Sequence, residues 1–306
     1  MARELTPVVV IVNAGAGQGH GDDLAASLRE KFAAVGLDAD VTLAAGGEEM
    51  IGVARKAVEN GVRIVVAGGG DGTMNAVASV LAGTPATLGV LPLGTLNHFA
   101  KDLNIPLALD EAIANIAHGQ PVAVDVGEVN GRIFLNNSSL GLYPDIVRDR
   151  TRQQRRLGRG KWLAFCWASL AALHRFPFLS LRLRLNGEEH ARRTPFVFIG
   201  NNAYTMEGLN IGERTRLDGG ELSLYVAQRP TRLGLVRLAG HALLGRLARA
   251  RDFDVLLAEE LAIDSWRKLV RVATDGEVTL MAPPLEYRSR PGALTVIVPR
   301  KVREPR

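Results

Sequence analysis

Short apolar runs alternate with longer amphipathic stretches along the first part of the chain, up to about residue 128. The apolar runs predict strands, and the stretches between them have the length and periodicity of helices. The predicted strands cover 8–12, 38–44, 64–67 and 87–92, and the predicted helices cover 22–36, 48–61, 74–82 and 111–119. Strands separated by helices of this length predict an α/β domain with a parallel, doubly wound sheet. In such a sheet, ligands bind beyond the carboxyl ends of the strands.

The pattern changes after residue 128. Asn130-Gly131 and Asn186-Gly187 each stand between two strand-like segments, which is typical of a two-residue hairpin turn. Residues 181–185 alternate leucine with arginine, as a half-buried antiparallel strand does. One basic helix, about 231–251, interrupts the strands. We therefore predict a first domain over residues 1–128 and an antiparallel β-sandwich over residues 129–299.

The cysteine and hydropathy content restricts the class of protein. Cys166 is the single cysteine, which excludes an internal disulfide framework and suits a reducing compartment. The longest apolar run, Trp162–Leu173, has twelve residues. A membrane-spanning helix needs about 20. We expect a cytoplasmic protein that does not span a membrane.

The positive charge is concentrated in one segment. The net charge is +5, and residues 148–161 hold seven basic side chains against the one acid Asp149. Because an apolar, tryptophan-containing run follows, the segment is suited to contact with anionic headgroups at a membrane surface. A solvated basic loop that leads into a buried helix is the alternative. Nucleic acid is not an expected partner, since no recognition motif accompanies the arginines.

A glycine-rich turn follows the strand at 64–67. Its residues are Gly68, Gly69, Gly70, Asp71, Gly72 and Thr73, and a predicted helix comes next. A strand, a glycine turn and a helix N-terminus present bare N–H groups to an anion such as phosphate. The acid would repel phosphate unless Mg²⁺ or a donated hydrogen bond lies between them. An ordinary strand-to-helix turn is the alternative.

Two further loops leave the carboxyl ends of predicted strands. Asn13 opens the first, residues 13–17, and Gly94, Thr95 and Asn97 form the second. Because parallel strands end at one edge of a sheet, we expect all three loops to lie together there. For Asn13, a turn residue that bonds the local backbone is the alternative.

Three sequence blocks resemble the lipid kinases of the diacylglycerol kinase and sphingosine kinase superfamily, above all the bacterial two-domain type. The blocks are GGGDGTMNAV at 68–77, GVLPLGTLNHFAKDL at 89–103 and TDGEV at 274–278. The resemblance covers nearly the whole chain. It implies transfer of the ATP γ-phosphate, with Mg²⁺, to the hydroxyl of diacylglycerol or a related lipid alcohol such as a sphingoid base. It also implies work at the inner face of a membrane, and a tail, 300–306, that returns to the first domain.

The resemblance assigns roles to the residues of these blocks. Asn13 and the glycine-rich and 94–97 loops would bind ATP, and Asp71 would bind Mg²⁺. Asp275 and Glu277, in the third block, would supply the base that takes the proton of the acceptor hydroxyl. Asp-Gly between apolar runs is also a hairpin signal. If the strand continues through it, the two carboxylates share one face, and which of them takes the proton stays open.

The chain departs from the family pattern at two positions. His98 stands where an aspartate is common, and Gly219 stands where a structural Mg²⁺ ligand is common. Asp218, the nearest carboxylate, could replace that ligand or could belong to a hairpin turn. Two other functions stay open: a kinase of soluble substrates, of the NAD kinase type, and a non-catalytic nucleotide- or lipid-binding regulator. The oligomeric state is open too, a homodimer included.

Overall fold

The computed structural model describes residues 5–15, 21–141, 178–185, 187–207, 210–214, 216–227 and 253–300. The chain forms two compact units: the first runs to Val126 and resumes at Arg290, and the second is Gly127–Ser289. The first boundary therefore lies two residues before the predicted one. The sequence assigns residues 290–299 to the second domain, whereas they group with the first unit. Residues 301–306 of the predicted tail lie outside the described residues.

The first unit is an α/β domain. Its elements are β1 (Thr6–Asn13), α1 (Gly21–Ala34), β2 (Leu37–Ala44), α2 (Gly47–Glu59), β3 (Ile64–Gly69), α3 (Asp71–Leu81), β4 (Thr87–Pro92), α4 (His98–Asp102) and α5 (Leu109–His118). Its sheet has the order β2-β1-β3-β4, all strands parallel, and the end of the last strand of the chain pairs in parallel with β4. Apolar residues of the central strands, such as Val10 and Val66, are fully buried.

The order of these strands places a topological switch between β1 and β3. The chain moves from β1 outward to β2 on one side, and then to β3 and β4 on the other. Ligands of open α/β sheets bind where the direction of winding reverses, beyond the carboxyl ends of the strands. The ends of β1 and β3 therefore mark the expected ligand site.

The second unit is an antiparallel sandwich, as predicted. The remaining elements of the chain are β5 (Gln120–Val129), β6 (Arg132–Phe134), β7 (Asn137–Gly141), β8 (Leu179–Leu185), β9 (Glu188–Thr194), β10 (Phe196–Asn201), β11 (Thr205–Glu207), β12 (Asn210–Glu213), β13 (Leu222–Ala227), β14 (Phe253–Ala258), β15 (Glu260–Ser265), β16 (Val270–Thr274), β17 (Glu277–Met281) and β18 (Leu285–Val298). One sheet has the order β14-β13-β10-β7-β16-β17, and the strands β18, β15, β8 and β9 pair in a second antiparallel set.

The core of the sandwich is built by the alternation seen in the sequence. Leu181 and Leu183 of β8 are buried, together with Leu140 and Val272 of the other sheet, in one apolar cluster. The arginines between the leucines of β8 are exposed. The hairpin at Asn130-Gly131 is confirmed: both residues have positive φ, 46° and 82°, and Val129 pairs with Arg132 across the turn.

Three predicted features lie outside the described residues: the basic run 148–161, the apolar run 162–173 that contains Cys166, and the basic helix 231–251. Within the described part of the chain, no helix combines the length and the apolar character that crossing a membrane requires.

Candidate active site

The described residues of the three predicted loops, which exclude 16 and 17, meet at the carboxyl edge of the sheet in the first unit. Asn13, at the end of β1, donates a hydrogen bond from Nδ2 to Thr73 Oγ1 at 3.5 Å. The 94–97 loop approaches the glycine-rich turn so closely that a Cβ on Gly94 would lie 2.4 Å from the Cα of Gly70. A side chain at position 94 would therefore force the two backbones apart.

The glycine-rich turn closes on its own helix. A Cβ on Gly69 would lie 2.3 Å from Thr73 Oγ1, and Thr73 is buried. The carbonyl oxygen of Gly70 accepts the N–H groups of Thr73 and Met74, at 2.9 and 3.1 Å, and α3 begins at Asp71. The first N–H groups of a helix have no partner within that helix, so this start of α3 can bind a phosphate.

Asp71 joins two of the loops through backbone hydrogen bonds. Its carboxylate accepts the N–H of His98 at 3.3 Å and the N–H of Phe99 at 3.1 Å. These are the first residues of α4, and the residue before them, Asn97, makes no capping bond of its own. The sequence gives no sign of this cap, since Asp71 precedes His98 by 27 positions.

Asn97 holds the shape of its own loop. It has left-handed backbone dihedrals, φ 52° and ψ 45°, and its side chain is buried. The amide donates to the carbonyl oxygens of Pro92 and Gly94, at 3.1 and 2.9 Å, and accepts the N–H of Gly94 at 3.1 Å. Asn97 therefore fixes the loop that carries two other predicted site residues, Gly94 and the exposed Thr95.

The donor sets at the two predicted metal ligands differ. Mg²⁺ in kinases is usually held by one or two carboxylates and by the phosphates of the substrate, so Asp71, beside the phosphate-binding turn, fits. Asp218 is exposed and forms a surface ion pair with Arg216 Nε at 3.0 Å, and its role as a metal ligand stays a prediction. Among the described residues, no group of three or more His, Cys, Asp or Glu side chains could hold a metal ion.

Asp275 lies in the second unit, in a two-residue hairpin turn. Asp275 and Gly276 have φ of 47° and 86°, and Thr274 pairs with Glu277 across the turn, so the hairpin signal of the sequence is confirmed. The carboxylate accepts three consecutive backbone N–H groups, from Leu135 at 2.7 Å, Asn136 at 2.9 Å and Asn137 at 3.0 Å. The turn and the bonds together fix the position of this carboxylate.

Arg214 binds the other side of the segment 135–137. Its buried guanidinium donates to the carbonyl oxygens of Leu135, at 2.7 Å, and of Asn201, at 3.1 Å, and to Asn136 Oδ1, at 2.7 Å. The segment thus presents N–H groups to Asp275 and oxygens to Arg214. Nothing in the sequence singles out Arg214, because its partners are two backbone carbonyls and one amide oxygen that only the fold brings together.

The surroundings of Asp275 change its acidity. Burial raises the pKa of the carboxyl from 3.8 to about 6, although the three backbone N–H groups and the charge of Arg214 lower it. A carboxylate with a pKa near the working pH can both hold and accept a proton, which is what a general base requires.

Glu277 has a different environment. It begins β17 and forms an ion pair with Arg132, at 2.5 Å, and its side chain is 60% exposed. The condition for a shared strand face, that the strand continues through Asp275, is not met, because Asp275 lies in the turn. The two carboxylates bind separate partners.

Two family profiles together match most of the chain. The diacylglycerol kinase catalytic domain matches residues 7–129, and the YegS C-terminal NAD kinase beta sandwich-like domain matches residues 144–298. The two matches correspond to the α/β domain and the sandwich.

Known proteins agree with these profiles. A protein of Pseudomonas syringae pv. syringae, named "probable lipid kinase YegS-like", is 31% identical over 272 residues, which are 86% of this chain and 84% of that protein. A Yersinia pestis protein of the same name is 46% identical over 84 residues, 26% of this chain and 28% of its own. A crystal structure described as a putative diacylglycerol kinase from Bacillus anthracis has the same fold, with a TM-score of 0.76 at 22% identity, over 98% of this chain and 99% of its own. The chain belongs to the YegS-like lipid kinase family and is a kinase with a diacylglycerol kinase catalytic domain.

Proposed function

We propose that this kinase transfers the γ-phosphate of ATP, with Mg²⁺, to the hydroxyl of diacylglycerol or a related lipid alcohol such as a sphingoid base. The observation that carries the proposal is the environment of Asp275. Its carboxylate is fixed by three backbone N–H groups and has a pKa of about 6. These features support the role of Asp275 as the base in transfer to an alcohol.

The loops of the first unit would bind the nucleotide. The turn Gly68–Thr73 offers the phosphates close approach to the backbone and the N-terminus of α3. Asp71 would hold the Mg²⁺ that neutralises charge on the phosphates. Phosphoryl transfer depends mainly on such positioning and charge neutralisation, so few side chains need to act chemically.

Asp275 would act on the acceptor. As the hydroxyl oxygen bonds to the γ-phosphorus, its proton passes to the Asp275 carboxylate, and the bond from the γ-phosphorus to the bridging oxygen breaks to release ADP. Glu277 is the weaker candidate, because Arg132 already pairs with its carboxylate.

The partner in this proposal is a membrane. A lipid with acyl chains lies in a bilayer, so the kinase would act as a peripheral protein at the inner face, near anionic headgroups. The basic run 148–161 supports this by its composition alone.

The test is incubation with radiolabelled ATP, Mg²⁺ and a total lipid extract, followed by identification of the labelled product. We expect label in a lipid. Asp275→Asn should lower the rate by about 100-fold or more, while ATP binding by calorimetry stays unchanged. Glu277→Gln, in the same hairpin, is the matched control and should keep most of the rate.

Other results would contradict the proposal. Label only in a water-soluble product would favour the NAD kinase type, and no labelled product would favour a regulator. Normal turnover by Asp275→Asn would restrict Asp275 to its role in the hairpin. A loss with Glu277→Gln alone would transfer the role of base to Glu277.

A further inference from the structure

One large apolar side chain of the second unit is almost entirely in solvent. Trp266, in the loop between β15 and β16, is 83% exposed, the highest value among the exposed large apolar side chains described. Leu269, in the same loop, is 54% exposed. The free energy falls when a tryptophan or leucine side chain leaves water. Their joint exposure in one loop therefore indicates a surface that binds a partner.

Several cationic side chains lie near Trp266. The guanidinium of Arg182 lies over the indole ring, 5.2 Å from its centroid, and a shallow groove beside them contains Arg192 and Arg193. We call this surface the Trp266 patch; it consists of Arg182, Arg192, Arg193, Trp266, Arg267, Lys268 and Leu269.

The charge of the patch is strongly positive. It has five cations, and the acids beside them are Asp264, which lines the groove, and Glu189, 3.8 Å from Arg182. Arg193 also lies over a ring, that of Phe178, at 4.9 Å. Among the residues that the structure describes, five cations therefore face two acids, so the surface is complementary to an anionic partner.

The combination of charge and aromatic residue fits a bilayer better than a protein. Tryptophan concentrates at the headgroup level of membranes, and arginine and lysine bind the anionic lipids there. Protein interfaces are also enriched in tryptophan and arginine, but their centres are poor in charge. In the patch, by contrast, five cations accompany two apolar side chains.

We propose that the Trp266 patch binds the surface of an anionic lipid bilayer, with Trp266 and Leu269 at headgroup depth and the cations on lipid phosphates. The inference deepens the proposed function, since it adds a membrane contact for a kinase of lipids. Vesicle binding can be measured without turnover. The membrane contact can therefore be tested separately from the kinase reaction.

The direct test makes Trp266 its own reporter. The chain has three tryptophans, and Trp162→Phe with Trp167→Phe leaves Trp266 as the one tryptophan, which is excited selectively over the tyrosines. Vesicles of phosphatidylcholine mixed with phosphatidylglycerol should shift its emission to the blue, and brominated acyl chains should quench it. Vesicles of phosphatidylcholine alone should do neither. Should the double variant not fold, Trp266→Phe in the parent chain should make the vesicle-dependent blue shift smaller than in the parent, and an unchanged shift would overturn the proposal.

A charge comparison tests the cations. Arg192→Gln with Arg193→Gln should weaken sedimentation with the anionic vesicles by about tenfold or more. The matched control, Arg55→Gln with Lys56→Gln, removes two adjacent exposed charges from α2 of the first unit and should bind like the parent. Emission unchanged by anionic vesicles would overturn the proposal, as would equal binding by the two double variants. Binding lost with turnover intact on detergent-dispersed lipid would support the patch and leave the kinase reaction unaffected.

Discussion

At the scale of single residues, the candidate base is defined by what lies on the two sides of one backbone segment. Residues 135–137 donate their N–H groups to Asp275, and oxygens of Leu135 and Asn136 accept bonds from Arg214. The guanidinium therefore stabilises the carboxylate both through its charge and by fixing the segment that binds it. Burial opposes both effects, and the pKa of about 6 is the outcome.

Because folding raises the pKa of Asp275, we expect the free energy of unfolding to depend on pH. Between pH 3.8 and about 6 the folded state holds a proton on Asp275 that the unfolded state has released. The contribution of Asp275 to the free energy of unfolding therefore falls as pH rises through this window, by up to about 3 kcal/mol. This is the reverse of the usual aspartate, whose pKa is lowered by folding.

Urea unfolding at a series of pH values would measure this. Asp275→Asn, which cannot titrate, should be less stable overall but should lose the decrease between pH 4 and 6. Arg214→Gln should extend the decrease to higher pH, because removal of the charge raises the pKa of Asp275 further. The same decrease in parent and Asp275→Asn would show that another group titrates.

At the scale of elements, the sequence predicts those with a regular hydrophobic pattern. It does not predict short elements that depend on tertiary contacts. Strands β1 to β4 and their long helices follow from alternating apolar and amphipathic runs, and Asn130-Gly131 and Asp275-Gly276 identify their hairpins. Helix α4 was missed. It has only five residues, too few for periodicity, and the side chain that caps it comes from a different loop. The sequence therefore predicts the role of Asp71 near the phosphates but not its role as the cap of α4.

Asp71 is therefore expected to affect both the reaction and the stability of α4. Asp71→Ala should abolish phosphoryl transfer and also lower the free energy of unfolding by about 1–2 kcal/mol, because two N–H groups lose their acceptor. Asp71→Asn keeps an acceptor oxygen, so it should lose transfer with a smaller loss of stability. Turnover and thermal unfolding of both variants give the comparison. Near-normal turnover in either one would contradict the Mg²⁺ role.

At the scale of the whole molecule, the first unit is completed by the end of the chain. Leu294 and Val296 of β18 are fully buried, and Val296 pairs with Leu88 of β4. Ala293 and Ile297 accept hydrogen bonds from Gly83 and Asn115, at 2.7 and 3.2 Å. The sequence shows an apolar strand here but not its partner, because pairing depends on the tertiary fold, and so the strand was assigned to the second domain.

This return predicts that the catalytic domain, as its family profile delimits it, is incomplete. A fragment of residues 1–129 lacks the buried side chains of β18, each worth about 1.5–3 kcal/mol. Their sum is comparable with the whole stability of a domain, about 5–15 kcal/mol. We expect this fragment to show no cooperative thermal transition by circular dichroism. The same fragment joined through a flexible glycine–serine linker to residues 290–300 should regain one, and Leu294→Asp with Val296→Asp in the joined strand should abolish it again. A cooperative transition in the shorter fragment, at the temperature of the joined one, would show that the first unit folds without its last strand.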